Sequence, residues 1–149
     1  MKLGVILIVL VILNTFVFGA SRISGDRMYP ALRDGDFCIF YKLEEYHVGD
    51  VVSYQDPSGK KHIGRIIAME GTFDISDGNA PMINGMRLSE EVVYETPKGS
   101  YPLPATIQHG QYWIMNDFRS NTEDSRDYGP IDQKNLHGKV MFLFRRRSF

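Results

Sequence analysis

Cysteine is nearly missing from this chain of 149 residues: Cys38 stands alone. One cysteine excludes an intrachain disulfide framework and any multi-cysteine metal site, and its neighbours Phe37, Ile39 and Phe40 mark it as a packed core residue. The four histidines, His47, His62, His109 and His137, fall at no metal-ligand spacing, so neither zinc nor any other cofactor is expected. An excess of charge is missing too. The 17 Lys and Arg face 18 Asp and Glu, interspersed, and the chain lacks the basic stripe of a nucleic-acid binder. The single dense basic run, Arg145 to Arg147, reads as a solvated tail, with contact to anionic lipid as the alternative. No repeat or low-complexity tract is present. The length suits one domain with one core.

What the chain does have is a long apolar start. The run GVILIVLVILNTFVFGA, from Gly4 to Ala20, is uncharged and only mildly polar at Asn14 and Thr15. A spanning helix wants about 20 residues, so the run suffices narrowly. Lys2 precedes it, which puts the N-terminus inside and everything after Ala20 outside. The competing reading is a cleavable signal peptide, with Val17 and Gly19 or Phe18 and Ala20 as the small-residue cleavage pattern. The uncleaved anchor is the preferred reading: residues 1–20 as a single-pass transmembrane anchor in the cell membrane, and residues 21–149 as an extracellular domain.

From Phe37 onward β-branched and aromatic residues are broken every eight to twelve or so by turn signals, which predicts a mainly β fold. FCIFYK, the stretch after Gly49-Asp50 up to Asp56-Pro57, HIGRIIAME, QYWIM and KVMFLF read as strands. PMINGMRLS reads as a hairpin, because Asn84-Gly85 supplies the positive φ angles of a type I′ turn. The stretch with Pro97, Gly99, Pro102 and Pro104 reads as an irregular excursion across one edge, and NLHGK as a short turn. Beyond the apolar start, no segment has a convincing helical period.

Six stretches then appear in a telling order: SGDRMYPALRDGD, VGDVVSYQDP, GRIIAMEG, INGMRL, MNDFRSNTEDSRDYGPI and GKVMF. In order and spacing they resemble the conserved boxes of the signal peptidase I family, peptidase S26. The resemblance covers almost the whole exported part and the single N-terminal anchor. It implies an all-β domain of the LexA/signal peptidase-like kind. It also implies a serine nucleophile directly before the methionine of the first box and a lysine base directly before an arginine of the third. A serine needs such a base, and a buried lysine with a lowered pKa can serve.

Here Gly25, Asp26, Arg27, Met28 and Pro30 fill the first box, so Arg27 has the nucleophile's place. Gly64, before Arg65, has the lysine's place. Arg27 can neither attack nor accept a proton. Ser24 lies three residues away from the slot, and Asp26 as a chain neighbour points to the opposite face. His62 and Lys60 share a strand face with Gly64, so a displaced base is one alternative. An acid pair of Asp26 and Asp117 is another.

The last box keeps Asp117, Arg119, Thr122, Asp124, Ser125 and Arg126. By resemblance, Thr122 takes the position of the hydroxyl that orients the lysine, and Asp124 with Arg126 braces the site. The plain alternative for Asp-Ser-Arg is a turn with a surface ion pair. Asn116 and Phe118 depart from the pattern beside the site, and Glu70 to Thr72 depart from it in the third box.

These positions predict a vestigial cleft and no enzyme, and the chain resembles the SipA-type homologues associated with pilus assembly in Gram-positive bacteria. On that reading it acts as a binding or chaperone-like factor. The partners so implied are pilin subunits or sortase-linked assembly machinery, bound by strand addition. The alternative is an active signal peptidase that cleaves exported precursors with an unorthodox site. Arg27 itself is expected to reach into the void left at Gly64, near Thr122 or a carboxylate of the last box; the plainer expectation is an exposed arginine on a loop.

Overall fold

A computed structural model describes residues 2–89 and 95–145. Two antiparallel sheets carry the fold. The larger orders its strands as β1 (Phe18–Arg22), β2 (Phe37–Tyr41), β11 (Leu136–Phe144), β3 (Val51–Gln55), β4 (Lys61–Ala68), β9 (Gln111–Met115) and β10 (Ile131–Asp132). The smaller orders β7 (Met86–Arg87), β6 (Pro81–Ile83), β5 (Gly71–Ile75) and β8 (Ala105–Ile107). The mainly β expectation therefore stands. Asn84 and Gly85 turn the β6–β7 hairpin with φ of 51° and 76°, as their type I′ chemistry requires.

The period-two pattern decides which side chain meets which core. In β9, Tyr112 and Ile114 join one apolar cluster with Val52, Tyr54 and Ile66, while Trp113 and Met115 join a second with Phe73, Ile75 and Ile107. Both faces of β9 are thus covered, which explains why QYWIM is apolar throughout rather than alternating. β4 serves the same two clusters. Its pairing with β9 shifts register between Ile66 and Ala68, and this bulge lets consecutive residues of IIA be buried. Phe73 stacks on Trp113 with ring centroids 4.4 Å apart. A third cluster of Ile23, Met28, Leu32, Cys38 and Phe40 pins the loop after β1 onto the other face of the large sheet. Cys38 is fully buried, and burial with the nearby Asp36 pushes its thiol up to about 11.

The N-terminal run is divided differently from its expected limits. α1 (Lys2–Ile12) passes into a wider π-type turn over Leu13–Val17, and Phe18, Gly19 and Ala20 then pair with Tyr41, Phe40 and Ile39 as part of β1. The sheet thus begins inside the apolar run, at Phe18. Lys42 sets the division, since its Nζ donates to the Thr15 carbonyl at 2.8 Å and its backbone N–H to the Val17 carbonyl at 3.0 Å. A cation on the last carbonyls of a helix is a favourable terminator. Among the described residues, no helix is long and apolar enough to cross a membrane. Three other elements differ from expectation. β5 was not anticipated, NLHGK already contains the start of β11, and a one-turn helix, α2 (Ser125–Tyr128), interrupts the last box. Residues 146 and 147 of the basic run lie outside the described residues.

Gly64 is buried in β4, and the space beside it is filled. A Cβ there would stand 2.6 Å from Ile114 Cγ2 and 3.2 Å from Tyr54 Cε1. Overpacking of a rigid core costs about 1–3 kcal/mol. Gly64→Ala is therefore expected to destabilise the protein by that amount in a denaturant melt, and Gly64→Lys by more.

Candidate active site

The loop that carries Arg27 is shaped before it is charged. Gly25 turns it with φ of 82° and donates its N–H to Asp34 Oδ1 at 2.8 Å. Met28, buried in the third cluster, anchors it from below. The Arg27 carbonyl accepts the Phe118 N–H at 2.8 Å, which ties the first box to the last. Asp26 and Pro30 stay exposed at the surface of this loop.

Opposite the loop stands the β3–β4 hairpin. His62 pairs with Tyr54 across the hairpin and points to the same side as Gly64 and Ile66. Its ring lies between Tyr54 and Tyr128, with centroids 5.5 and 5.6 Å away. Its Nε2 meets Asp56 Oδ2 at 2.9 Å, and its Nδ1 meets Arg27 Nη1 at 2.8 Å. A guanidinium only donates, so Nδ1 carries the lone pair and Nε2 the proton given to Asp56. The other arm of Arg27 is paired with the Glu123 carboxylate. The result is a continuous polar chain, Asp56–His62–Arg27–Glu123.

Asp56 is the most heavily hydrogen-bonded member. Burial works to raise its carboxyl, but the Ser58 hydroxyl, His62 and the backbone N–H groups of Lys60 and Ser58 outweigh it and hold the pKa down at about 2. The Tyr54 hydroxyl above Gly64 is buried without a hydrogen-bond partner, and burial, then the nearby Asp124, makes it much less acidic than an ordinary phenol.

The last box forms the frame. Arg126 is fully buried and reaches Asp124 through Nε at 3.0 Å and Nη2 at 2.7 Å, and the carbonyls of Pro97 and Arg119 through Nη1 at 3.1 and 2.7 Å. Asp124 in turn accepts the N–H groups of Arg126 and Asn116, and Ser125 Oγ accepts that of Ile114. Burial raises the Asp124 carboxyl against the pull of Arg126. The reading of Asp-Ser-Arg as a surface pair is thus replaced by a buried one. Thr122 donates to Asp127 at 2.9 Å, and Arg119 donates to Thr96 at 3.3 Å. Arg65 holds both oxygens of Asp117 at 2.8 and 2.7 Å.

Several expected juxtapositions change accordingly. Arg27 does not enter a void at Gly64, because Ile114 and Tyr54 occupy that space. It binds His62 and Glu123 at the rim instead. An acid pair of Asp26 and Asp117 is not assembled, since Asp117 is committed to Arg65 and Asp26 is exposed. Asp56 and Glu123 were not singled out from the sequence. The available signal for Asp56 was its place at the mouth of the β3–β4 hairpin, six residues before His62.

A groove of about 400 Å³ runs between the loop and the hairpin, lined by Ser21, Ser24, Gly25, Arg27, Ser53 and Lys60 to Ile63. Arg27 offers hydrogen bonds and charge to an oxygen, and His62 is the proton acceptor within reach once Arg27 withdraws from it.

The fold has a solved counterpart, and the family is shown by the sequence. The crystal structure of a signal peptidase I from Enterococcus faecalis V583 matches with a TM-score of 0.53 at 20% identity, covering 67% of this chain and all of that one. The profile described as "Signal peptidase, peptidase S26" matches residues 1–145, and the chain belongs to that family. The "Probable signal peptidase I-1" of Synechocystis sp. is 33% identical, over 95% of this chain and 79% of its own. Signal peptidase I of Bacillus licheniformis is 29% identical, over 96% and 86%. Signal peptidase IB of Staphylococcus aureus is 26% identical, over the same shares. These relatives overturn the expectation that the chain is not an enzyme: proteins matched along nearly its whole length are named as peptidases.

Two outcomes test the geometry. The depressed pKa of Asp56 means its contribution is fully present above about pH 4 and is lost as pH falls through 2. Acid unfolding of Asp56→Asn should therefore lack a component on the order of 2 kcal/mol that the parent loses across that window. Removing one partner of a buried ion pair costs about 3–5 kcal/mol, and Arg126→Ala should show that loss in a urea titration.

Proposed function

We propose that this chain cleaves exported precursor polypeptides in the groove beside Arg27, with a site in which Asp56, His62 and Arg27 do the work of a serine and a lysine. The observation that supports the reading most directly is the Asp56–His62–Arg27 chain at the groove wall, with the His62 lone pair turned toward Arg27. β1 ends the large sheet, and the residues after it line the groove, so an extended segment can add to that edge through main-chain hydrogen bonds.

In the reaction, the bound carbonyl oxygen draws Arg27 away from His62. The freed Nδ1 takes a proton from a water molecule as the water oxygen bonds to the carbonyl carbon, and Arg27 stabilises the oxyanion. The tetrahedral intermediate then collapses, the C–N bond breaks, and His62 returns the proton to the leaving nitrogen. Asp56 holds the imidazole in the required tautomer and stabilises its charged form. One water is consumed and His62 is regenerated.

The reading places the groove outside the cell membrane, with the apolar start as the attachment. The exposed apolar side chains of α1, such as Leu7 at 65% and Ile8 at 60%, support a lipid surrounding for that helix. Pilin subunits and sortase-linked components are the precursors or partners that the resemblance suggests.

Incubating the full chain in detergent with a signal-peptide-bearing precursor tests the proposal. Cleavage is expected, reduced at least about a hundredfold by His62→Gln and by Arg27→Ala, the second a rim substitution that spares the fold. An intact precursor, or cleavage indifferent to both substitutions, would sink it.

A further inference from the structure

The groove does not end at His62. A second hollow of about 300 Å³ shares Ser53 and Lys61 with it and continues past Lys42 and His137 toward Gly19. Along both, the charged lining residues are Arg22, Arg27, Lys42, Lys60 and Lys61, without a carboxylate among them. Arg27 is answered by Glu123, whereas among the described residues no carboxylate pairs with Arg22, Lys42, Lys60 or Lys61, and Lys42 has only the Thr15 carbonyl. Elsewhere Lys139 meets Glu44 and Asp50, and Lys134 meets Asp132, while Lys98 stands alone without a carboxylate among the described residues, so what sets the groove apart is the run of such cations along one channel.

His137 registers the same imbalance from within the hollow. Its Nε2 is buried without a hydrogen-bond partner, and burial, then Lys61 and Lys42, holds its imidazole below the usual range. Unpaired cations along a channel with a free strand edge form an electrostatic imprint of what fills it.

We infer that the continuous groove from Arg27 to Lys42 selects an extended peptide segment bearing several Asp or Glu side chains, which meet Lys42, Lys60, Lys61 and Arg22. The inference rests on the reading that an extended polypeptide occupies this groove, and adds its chemistry. A peptide is favoured over a lipid headgroup because, of these cations, Lys42 is the one tied to the end of the N-terminal helix, at the Thr15 carbonyl, while Arg22, Lys60 and Lys61 line the groove farther on. They extend along the hollow to the very loop that carries Arg27, and the adjoining edge of β1 offers main-chain hydrogen bonds that a headgroup cannot match.

Fluorescence anisotropy of the full chain in a non-ionic detergent decides the matter, with two labelled ten-residue peptides that differ only in Asp against Asn at alternate positions. The Asp peptide should bind about tenfold more tightly at low salt, and the margin should shrink as salt rises. Lys60→Gln with Lys61→Gln should remove most of that margin while leaving the affinity for the Asn peptide in place. Equal affinity for the two peptides overturns the charge selection but leaves the extended-peptide reading standing. Binding of neither overturns both. Displacement of the Asp peptide by phosphatidylglycerol vesicles, dependent on the same two lysines, assigns the cations to lipid and also overturns the inference.

Discussion

The buried pair of Asp124 and Arg126 is the constraint on which the site depends. Arg126 places its donors on four groups at once, drawn from two segments: the carboxylate two residues before it with the carbonyls of Arg119 and Asn121, and the carbonyl of Pro97. Asp124 and Ser125 bond the N–H groups of Asn116 and Ile114, so the last box is fastened to the edge of β9 as it leaves the core. An unpaired charge at this depth would be very costly, and these segments keep their arrangement together or lose it together. Glu123, immediately before Asp124, is thereby held where it meets Arg27 from across the groove.

The groove has one wall from the loop after β1 and one from the β3–β4 hairpin, and each is positioned by a different kind of force. The loop is held by burial of Ile23, Met28 and Leu32 in the third apolar cluster. The hairpin is held by its ladder and by Asp56, which gathers donors from Ser58, Lys60 and His62 into one turn. Because Asp56 is stationary, the His62 ring has a fixed tautomer and a fixed face. This is the preorganisation a proton acceptor needs, and it is supplied by residues other than Arg27 and Gly64, the two positions that the resemblance assigns to a serine and a lysine.

Much of this architecture is legible in the chain. The strands at 37–41, 51–55 and 111–115 announce themselves by β-rich runs between turn residues, and Asn84-Gly85 names its own turn. β1 is hidden because its first residues complete an apolar run, and only the later Lys42 explains why that run leaves the helix. α2 is a single turn, too short to show a 3.6-residue period. The Asp56–His62–Arg27–Glu123 chain is harder still. Arg27 and Glu123 lie 96 residues apart, and Arg27 and His62 lie 35 apart, so no spacing rule connects them.

The difference between a removed side chain and an empty space carries the remaining argument. At Gly64 the space is taken by Ile114 and Tyr54, so a cation could not remain inside and the charge at Arg27 stands at the rim. Arg27 is 28% exposed and Glu123 49%, whereas His62 and Asp56 are 2% and 5% exposed. An exposed ion pair contributes about 1 kcal/mol or less, and the buried hydrogen bond of a carboxylate to His62 contributes more. On the proposed mechanism the links that give way to a polar ligand are therefore those of the part-exposed Arg27, to His62 and to Glu123, and the Asp56–His62 pair stays in place. Arg27 is then the adjustable member of a fixed site: it covers the His62 lone pair in this structure, and the proposed mechanism has it released to a carbonyl oxygen.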